Sequence, residues 1–171
     1  MAPAHFFVKY RLDNDIYRNF EATSGGPKLD SSYRRDIPMT DLAISNGVYM
    51  RPLTKKETVV VMAEILLQWY RQKNQPEKII ALSDLLLKYF PNEVAIMIFK
   101  GSAYTAMLER DFEKVYRTPS DIPLQEHVRY NELAENNQLW FHKAEELGWR
   151  ETSSDVNKKY MRIVERAKAA R

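Results

Sequence analysis

The fold is decided by one helical stretch in the middle of the chain, which reads 54-TKKETVVVMAEILLQWYRQK-73. Its opening residues Thr54-Lys55-Lys56-Glu57 have the spacing of a capping box, in which threonine and glutamate each satisfy a backbone N–H of the first turn. The capping box predicts a helix that runs to about Lys73 and ends at Asn74-Gln75. Together with the further helix starts described below, this capping box predicts that residues 53–149 form a helical region.

Prolines mark the places where the later helices of this region begin. Pro76 suits the first turn of a second helix, because the backbone N–H that proline lacks has no partner there. Pro91 predicts the start of a third helix that runs through Leu108. A break at residues 118–123 then precedes a long helix, and Gly148 suits the left-handed conformation that commonly follows a helix end.

A faint internal repeat runs through the helical region. Leu67 and Tyr70 lie 34 residues before Gly101 and Tyr104, and Pro91 falls where a tetratricopeptide unit closes its second helix. The pattern predicts about one and a half degenerate units. Because a self-standing array needs about three or more units, we expect these helices to pack on something else.

Residues 1–52 have the pattern of strands and loop with one short helix. Three residues, 13–15, separate two runs of β-formers and predict a hairpin that pairs Leu12 with Ile16 and Phe7 with Glu21. One face of this hairpin is apolar and the other mostly polar, as alternation along a strand requires. The apolar face carries Phe6, Val8, Tyr10, Leu12, Ile16, Phe20 and Ala22. The predicted fold class is therefore α+β and mostly α, with a short antiparallel hairpin followed by a tetratricopeptide-like helical array.

Composition excludes several kinds of site. The chain has 171 residues, 44% of them hydrophobic and 29% charged, which is the balance of a folded protein of one domain, or of one domain with an appendage. It has no cysteine, which excludes disulfides, Cys-based metal sites and a thiol nucleophile within this chain. His5, His127 and His142 lie too far apart in sequence to indicate a metal site, and no cofactor is predicted. The methionines and tryptophans are expected mostly in the core.

Charge and hydropathy bear on partners and location. Residues 150–171 hold seven Lys/Arg against three Asp/Glu, so the net charge of +3 belongs to a basic C-terminal helix or tail. One aromatic in that tail is too few for base stacking, which disfavours nucleic acid as a partner. The longest apolar run, Val59–Ala63, is too short to span a membrane. Residues 1–20 lack the apolar core of a signal peptide, and the chain is predicted to be cytoplasmic.

His5 and Glu21 form the most suggestive pair of chemical groups. On the predicted register they lie diagonally across the two strands on the polar face, about 7–8 Å apart at Cα. A carboxylate that accepts a hydrogen bond from one imidazole nitrogen fixes the tautomer, so that the other nitrogen can act as a general base. A chance ion pair across a surface hairpin is the alternative explanation of the same spacing.

The sequence around this pair resembles the second half of a transglutaminase-like core. The resemblance is carried by the segments 5-HFFVKY-10 and 17-YRNFEATSG-25, since in that superfamily a histidine opens one strand and an acidic residue ends the next. The segment 47-GVYMRPLTKKE-57 resembles the junction in bacterial members that continue into tetratricopeptide-like helices, and 147-LGW-149 resembles the close of their last repeat helix.

This resemblance implies roles for individual residues. His5 would be the general base and Glu21 its orienting acid, while Tyr17 and Asn19 would flank the site and Thr23 would support the turn. The cysteine nucleophile of the superfamily is missing, so we expect this chain alone to be inactive. The resemblance implies that this sequence begins partway through the catalytic domain.

Three interpretations stay open at this point. The chain is the C-terminal part of a transglutaminase-like protein, or a non-catalytic scaffold that binds a protein or peptide through its helices. In the third, it is one half of a split or truncated acyl-transfer or peptide-hydrolase enzyme whose cysteine lies upstream or on a partner chain. An isolated hairpin is marginally stable in water, so either the helical part or a second copy of the chain is expected to cover the apolar face, which predicts a possible homodimer through the N-terminal hairpin.

Overall fold

The computed structural model describes residues 2, 5–12, 16–22 and 25–151 and has two compact units. One unit contains residues 1–52 and the chain from 148 onward, and the other contains residues 53–147. We call them the sheet unit and the helical unit and treat each by itself. The proposed loop at 13–15, the residue Thr23 and nearly all of the basic segment 150–171 lie outside the described residues.

The sheet unit is built on three antiparallel strands in the order β1-β2-β3. The strands are β1 (Val8–Arg11), β2 (Tyr17–Glu21) and β3 (Gly26–Lys28). The predicted register is confirmed, because Val8 pairs with Phe20 and Leu12 N donates to Ile16 O at 2.8 Å. The sheet continues beyond this hairpin, because Pro27 lies opposite Phe20 in β3, an edge strand, where proline is tolerated.

Two short helices follow the sheet, where the sequence pattern had predicted one. They are α1 (Asp30–Asp36) and α2 (Asp41–Ser45). Tyr33 of α1 is fully buried and its ring stacks on that of Phe7 with centroids 4.2 Å apart. The core of this unit further contains Ile37, Ala43, Tyr49 and Met50.

The mostly polar face of the sheet, not its apolar face, turns toward this core. Phe7 on this polar face packs on Tyr33, and Asn19 and Glu21 on the same face are buried at 3% and 4% exposure. The side chains of the apolar face stay 39–54% exposed: Phe6, Val8, Tyr10, Leu12, Ile16 and Phe20. The expectation that this face is covered is therefore not met within the described structure.

The helical unit consists of four long helices. They are α3 (Lys55–Gln72), α4 (Pro76–Tyr89), α5 (Val94–Leu108) and α6 (His127–Glu146). The capping box is confirmed, with Thr54 N donating to Glu57 Oε2 at 2.7 Å and Glu57 N to Thr54 Oγ1 at 3.2 Å. Pro91 does not start α5. It lies in the turn after α4, and the third helix begins three residues later at Val94.

Successive helices of this unit pack side by side, α3 against α4, α4 against α5, and α5 against α6. At Gly101 a Cβ would lie 3.0 Å from the Phe141 ring, so the missing side chain is what allows α5 and α6 to approach closely. Asn137 of α6 donates to the Gly101 carbonyl at 2.9 Å and to Thr105 Oγ1 at 2.7 Å, which satisfies polar groups in the same interface.

The break between α5 and α6 is confirmed as irregular structure. A π-helical turn over Glu109–Glu113 and 3₁₀ turns over Pro119–Asp121 and Leu124–Glu126 occupy it. The fold class is α+β and mostly helical, with the sheet at the N-terminus, as the sequence predicted. Within the described part of the chain, no helix has both the length and the apolar character needed to cross a membrane.

Candidate functional site

The candidate site lies at one end of the sheet, where His5 and Glu21 meet. His5 lies three residues before β1 begins at Val8, and Glu21 is the last residue of β2. Continued back to His5, the confirmed register places the two side chains diagonally on the same face. His5 Nε2 and Glu21 Oε2 form a hydrogen bond. The two side chains are 13% and 5% exposed, which makes this an interior pair and not a solvated contact across a surface hairpin.

A third side chain, which the sequence did not predict, completes the cluster. The Tyr33 hydroxyl donates to Glu21 Oε2 at 3.1 Å. Its ring centroid lies 5.6 Å from that of His5, and the Phe7 ring stacks on it with centroids 4.2 Å apart. The Glu21 carboxylate is thus held by hydrogen bonds with His5, which precedes β1, and with Tyr33 of α1. The only signal for Tyr33 was that it is the single large apolar side chain in 30-DSSYRRD-36.

This arrangement can orient a base. An imidazole whose Nε2 is committed to a carboxylate keeps its other nitrogen, Nδ1, as the basic one. The acid fixes the ring plane and stabilises the imidazolium that forms when a proton is taken up. The geometry is thus the one that a base and its orienting acid would need, and the sequence contains no cysteine.

Asn19 and Lys9 form a polar group on the same face as the His5–Glu21 pair. The Asn19 amide donates to Lys28 O at 3.0 Å and to Asp30 Oδ1 at 2.5 Å, and Lys9 Nζ lies 3.0 Å from the same carboxylate oxygen. Burial acts to raise the pKa of Asp30, but the hydrogen bonds from Asn19 and Lys9 outweigh it and lower that pKa below its usual value. Asn19 Oδ1 is buried and accepts no hydrogen bond from a described residue.

The other residues expected at the site lie elsewhere. Tyr17 is at the opposite end of β2, paired with Arg11 and 42% exposed. Thr23 is not among the described residues. His127 Nε2 contacts the Ile122 carbonyl at 2.8 Å, and His142 makes an exposed pair with Glu146. Among the described residues, no group of three His, Asp or Glu side chains could hold a metal ion.

One half-buried acid in the helical unit, Glu64, has a raised pKa. Burial raises the pKa of Glu64 on α3 to about 7, and the negative charge of Glu93 adds to the effect. A cleft between the α3–α4 turn and α5 has a volume of about 30 Å³, which suits a water molecule and not a substrate. Neither feature brings together the groups of a reaction.

Comparison with known proteins gives no relative on which to base an assignment. No family model, no curated protein and no solved structure matches this chain. Its function must therefore be inferred from the geometry of its own residues.

Proposed function

We propose that the sheet unit carries the base and orienting acid of a cysteine-dependent acyl-transfer site of the transglutaminase-like kind, and that the helical unit is a tetratricopeptide-like module that binds a protein partner. The observation that carries the first part is the buried hydrogen bond between His5 and Glu21, to which Tyr33 adds a second donor. The chain itself is then inactive, because acyl transfer of this kind needs a thiolate beside the histidine.

The cost of burying Glu21 favours the proposed catalytic pair over a chance contact between His5 and Glu21. Burying a carboxylate costs several kcal/mol unless it is well hydrogen-bonded. Glu21 is 4% exposed and Tyr33 fully buried, so the fold has placed an acid where it must be satisfied by specific neighbours. A glutamate on the exposed face of the same strand would have carried no such cost.

The alternative is a split or truncated enzyme whose cysteine lies upstream or on another polypeptide. The complete base–acid geometry favours it over a pure scaffold, since a scaffold has no need of an oriented imidazole. Reading the in-frame DNA upstream of Met1 separates the two origins. An Ala/Ser/Leu-rich helix that bears a cysteine supports a single longer protein, and a close stop codon with a ribosome-binding sequence supports separate chains.

The chain's lack of cysteine allows a direct test of the proposed base. Phe7 lies next to His5, with ring centroids 6.2 Å apart, so Phe7→Cys places the only thiol of the protein beside the imidazole. We expect its thiol pKa, read from the pH dependence of alkylation by iodoacetamide, to fall at least one unit below the ordinary value of about 8.5. The added substitution His5→Gln should return it to that value.

Two controls keep the test decisive. Tyr17→Cys, at the far end of β2, should keep an ordinary thiol pKa. Since Phe7 packs in the core, the wild-type chain offers a second measurement, in which ¹⁵N NMR should find His5 protonated at Nε2 and unprotonated at Nδ1. An equal alkylation profile with and without His5, or the opposite tautomer, contradicts the proposal.

The exposed apolar face of the sheet supports a second proposal, that two copies of the chain pair through it. Six large side chains that are 39–54% exposed present on the order of 500 Å² per copy, taking roughly 150–250 Å² for a whole aromatic side chain. A pair would bury about 1,000 Å² in total, the lower end of specific interfaces. The face is continuous with β1, which is an edge strand of the described sheet, and edge strands can recruit another chain.

A further inference from the structure

Helix α3 leaves a second apolar surface exposed, in the helical unit. Five large side chains along it are 42–72% exposed, and we call them the α3 stripe: Val59, Met62, Ile65, Leu66 and Trp69. Two of them, Met62 and Trp69, are of the residue types expected in the core. Contiguous exposed apolar surface of this kind marks interaction sites more often than isolated residues do.

The α3 stripe is a distinct face of the helix. At about 100° per residue its members fall within one third of the circumference, while Val60 and Leu67 fall on the opposite side. Val60 and Leu67 are 1% and 0% exposed, so α3 already uses that side to pack in the helical unit. The helix is therefore apolar on two sides, and only the side of Val60 and Leu67 is buried within the described structure.

Spacing along the stripe fits a partner helix. Val59, Met62, Leu66 and Trp69 follow one another at intervals of three, four and three residues, which is the a/d pattern of a helix–helix seam. A strand or an extended peptide would instead need contacts repeating every two residues.

Charge determines which helix would fit. The exposed face of α3 ends in Lys55 at its start and Lys73 just after its end, and it carries no acidic residue between them. Neither lysine forms an ion pair with a described residue. The nearby acids are used elsewhere, since Glu57 belongs to the capping box and Glu64 lies on the half-buried side.

A second copy of α3 is a poor occupant for this face. In a parallel pair Lys55 would oppose Lys55 of the other copy, and in an antiparallel pair centred on the stripe Lys55 would oppose Lys73. Like charges at both ends of a short seam are destabilising in either orientation. A helix with acidic residues at its ends would instead be attracted at both positions.

We propose that the α3 stripe binds an amphipathic helical segment of a protein partner, with apolar residues at a/d spacing and acidic residues at both ends of the seam. This inference deepens the proposed protein-binding role of the helical unit and rests on it. It is independent of the His5–Glu21 pair.

The test uses the full chain and two synthetic fluorescein-labelled peptides. Both have leucine at the a and d positions of about three heptads, one with glutamate and the other with lysine at its ends. By fluorescence anisotropy we expect the glutamate-ended peptide to bind at least about tenfold more tightly. Ile65→Glu should weaken its binding by a similar factor, whereas Leu85→Glu, at an exposed apolar position on α4, should not.

Charge reversal makes the test specific. The double variant Lys55→Glu with Lys73→Glu should prefer the lysine-ended peptide. Both positions are exposed, so its circular dichroism spectrum should match that of the wild type. Equal binding of the two peptides, or no binding of either in the micromolar range, overturns the inference. So does a dimer by sedimentation that Ile65→Glu dissociates, because the stripe then belongs to a second copy. None of these outcomes affects the cysteine test of the sheet unit.

Discussion

The Tyr33 hydroxyl donates a 3.1 Å hydrogen bond to the buried Glu21 carboxylate. Tyr33→Phe keeps the ring that packs on Phe7 but removes this donor. Because a buried acceptor that loses a partner costs about 1–3 kcal/mol, we expect the free energy of unfolding in urea to fall by that amount. Tyr10→Phe, on the exposed face of β1, should change it by less than about 0.5 kcal/mol. Equal stability of the two variants would mean that the hydroxyl contributes nothing.

Coupling between His5 and Glu21 can be measured with a double-mutant cycle. His5→Gln removes the imidazole from a carboxylate that is 4% exposed, so it should cost about 3 kcal/mol. Glu21→Gln in the same background removes the buried charge as well and should restore part of that loss. Stability curves at pH 7 should therefore give a coupling energy of about 1–3 kcal/mol. Additive effects of the two substitutions are the result that this interpretation excludes.

Glu64 should make the stability of the chain depend on pH. Burial, with the charge of Glu93, raises its pKa in the folded chain to about 7 from 4.5. Between these values the folded state binds more protons than the unfolded state, so stability falls as pH rises from about 4.5 to 7 and stays low above it. The full loss is on the order of 3 kcal/mol.

Glu64→Gln removes this ionisation. We expect the variant to gain stability over the wild type most clearly at pH 8 and least at pH 4, in urea titrations at each pH. Glu132→Gln, at an exposed position on α6, serves as the matched control and should not alter the pH profile. A wild-type profile that is flat between pH 4.5 and 7 would contradict the raised pKa.

Dimerisation through the exposed apolar face of the sheet has a direct test. At tens of micromolar the wild-type chain should scatter light as a dimer, and Val8→Lys with Phe20→Lys should make it a monomer by placing four charges in the interface. Leu124→Lys, whose side chain is 82% exposed in the helical unit, should leave the dimer intact. A wild-type monomer at these concentrations removes the proposal.

The elements with local signals were predictable from the sequence. The capping box at Thr54 and the proline at Pro76 fixed helix starts, because both act through the nearest backbone N–H groups. The three-residue loop fixed the register of β1 and β2, and with it the meeting of His5 and Glu21. The prediction from Pro91 was wrong because proline is equally common in the turn that precedes a helix.

The sequence could not predict which face of the sheet packs against the core. Alternation along the strands separated an apolar face from a polar one, and burial of the apolar face was the natural expectation. The structure buries the other face because Phe7 and Tyr33 stack there and hydrogen bonds satisfy Glu21 and Asn19. Tyr33 belongs to a helix of seven residues, too short to show a helical period.

A substitution at Gly148 tests whether the chain after α6 holds α2 in place in the sheet unit. It has a φ of +100°, and a Cβ there would lie 2.4 Å from the backbone nitrogen of Ala43. Its carbonyl also accepts a hydrogen bond from Thr40 Oγ1 at 2.5 Å, within the same unit. Since the clash is with backbone, which cannot rotate away, Gly148→Ala should cost at least about 2–3 kcal/mol of unfolding free energy. Gly26→Ala is the matched control, because a Cβ at Gly26 would meet no atom within 4 Å. If Gly148→Ala unfolds at the same urea concentration as Gly26→Ala, then the chain after α6 does not hold α2 in place.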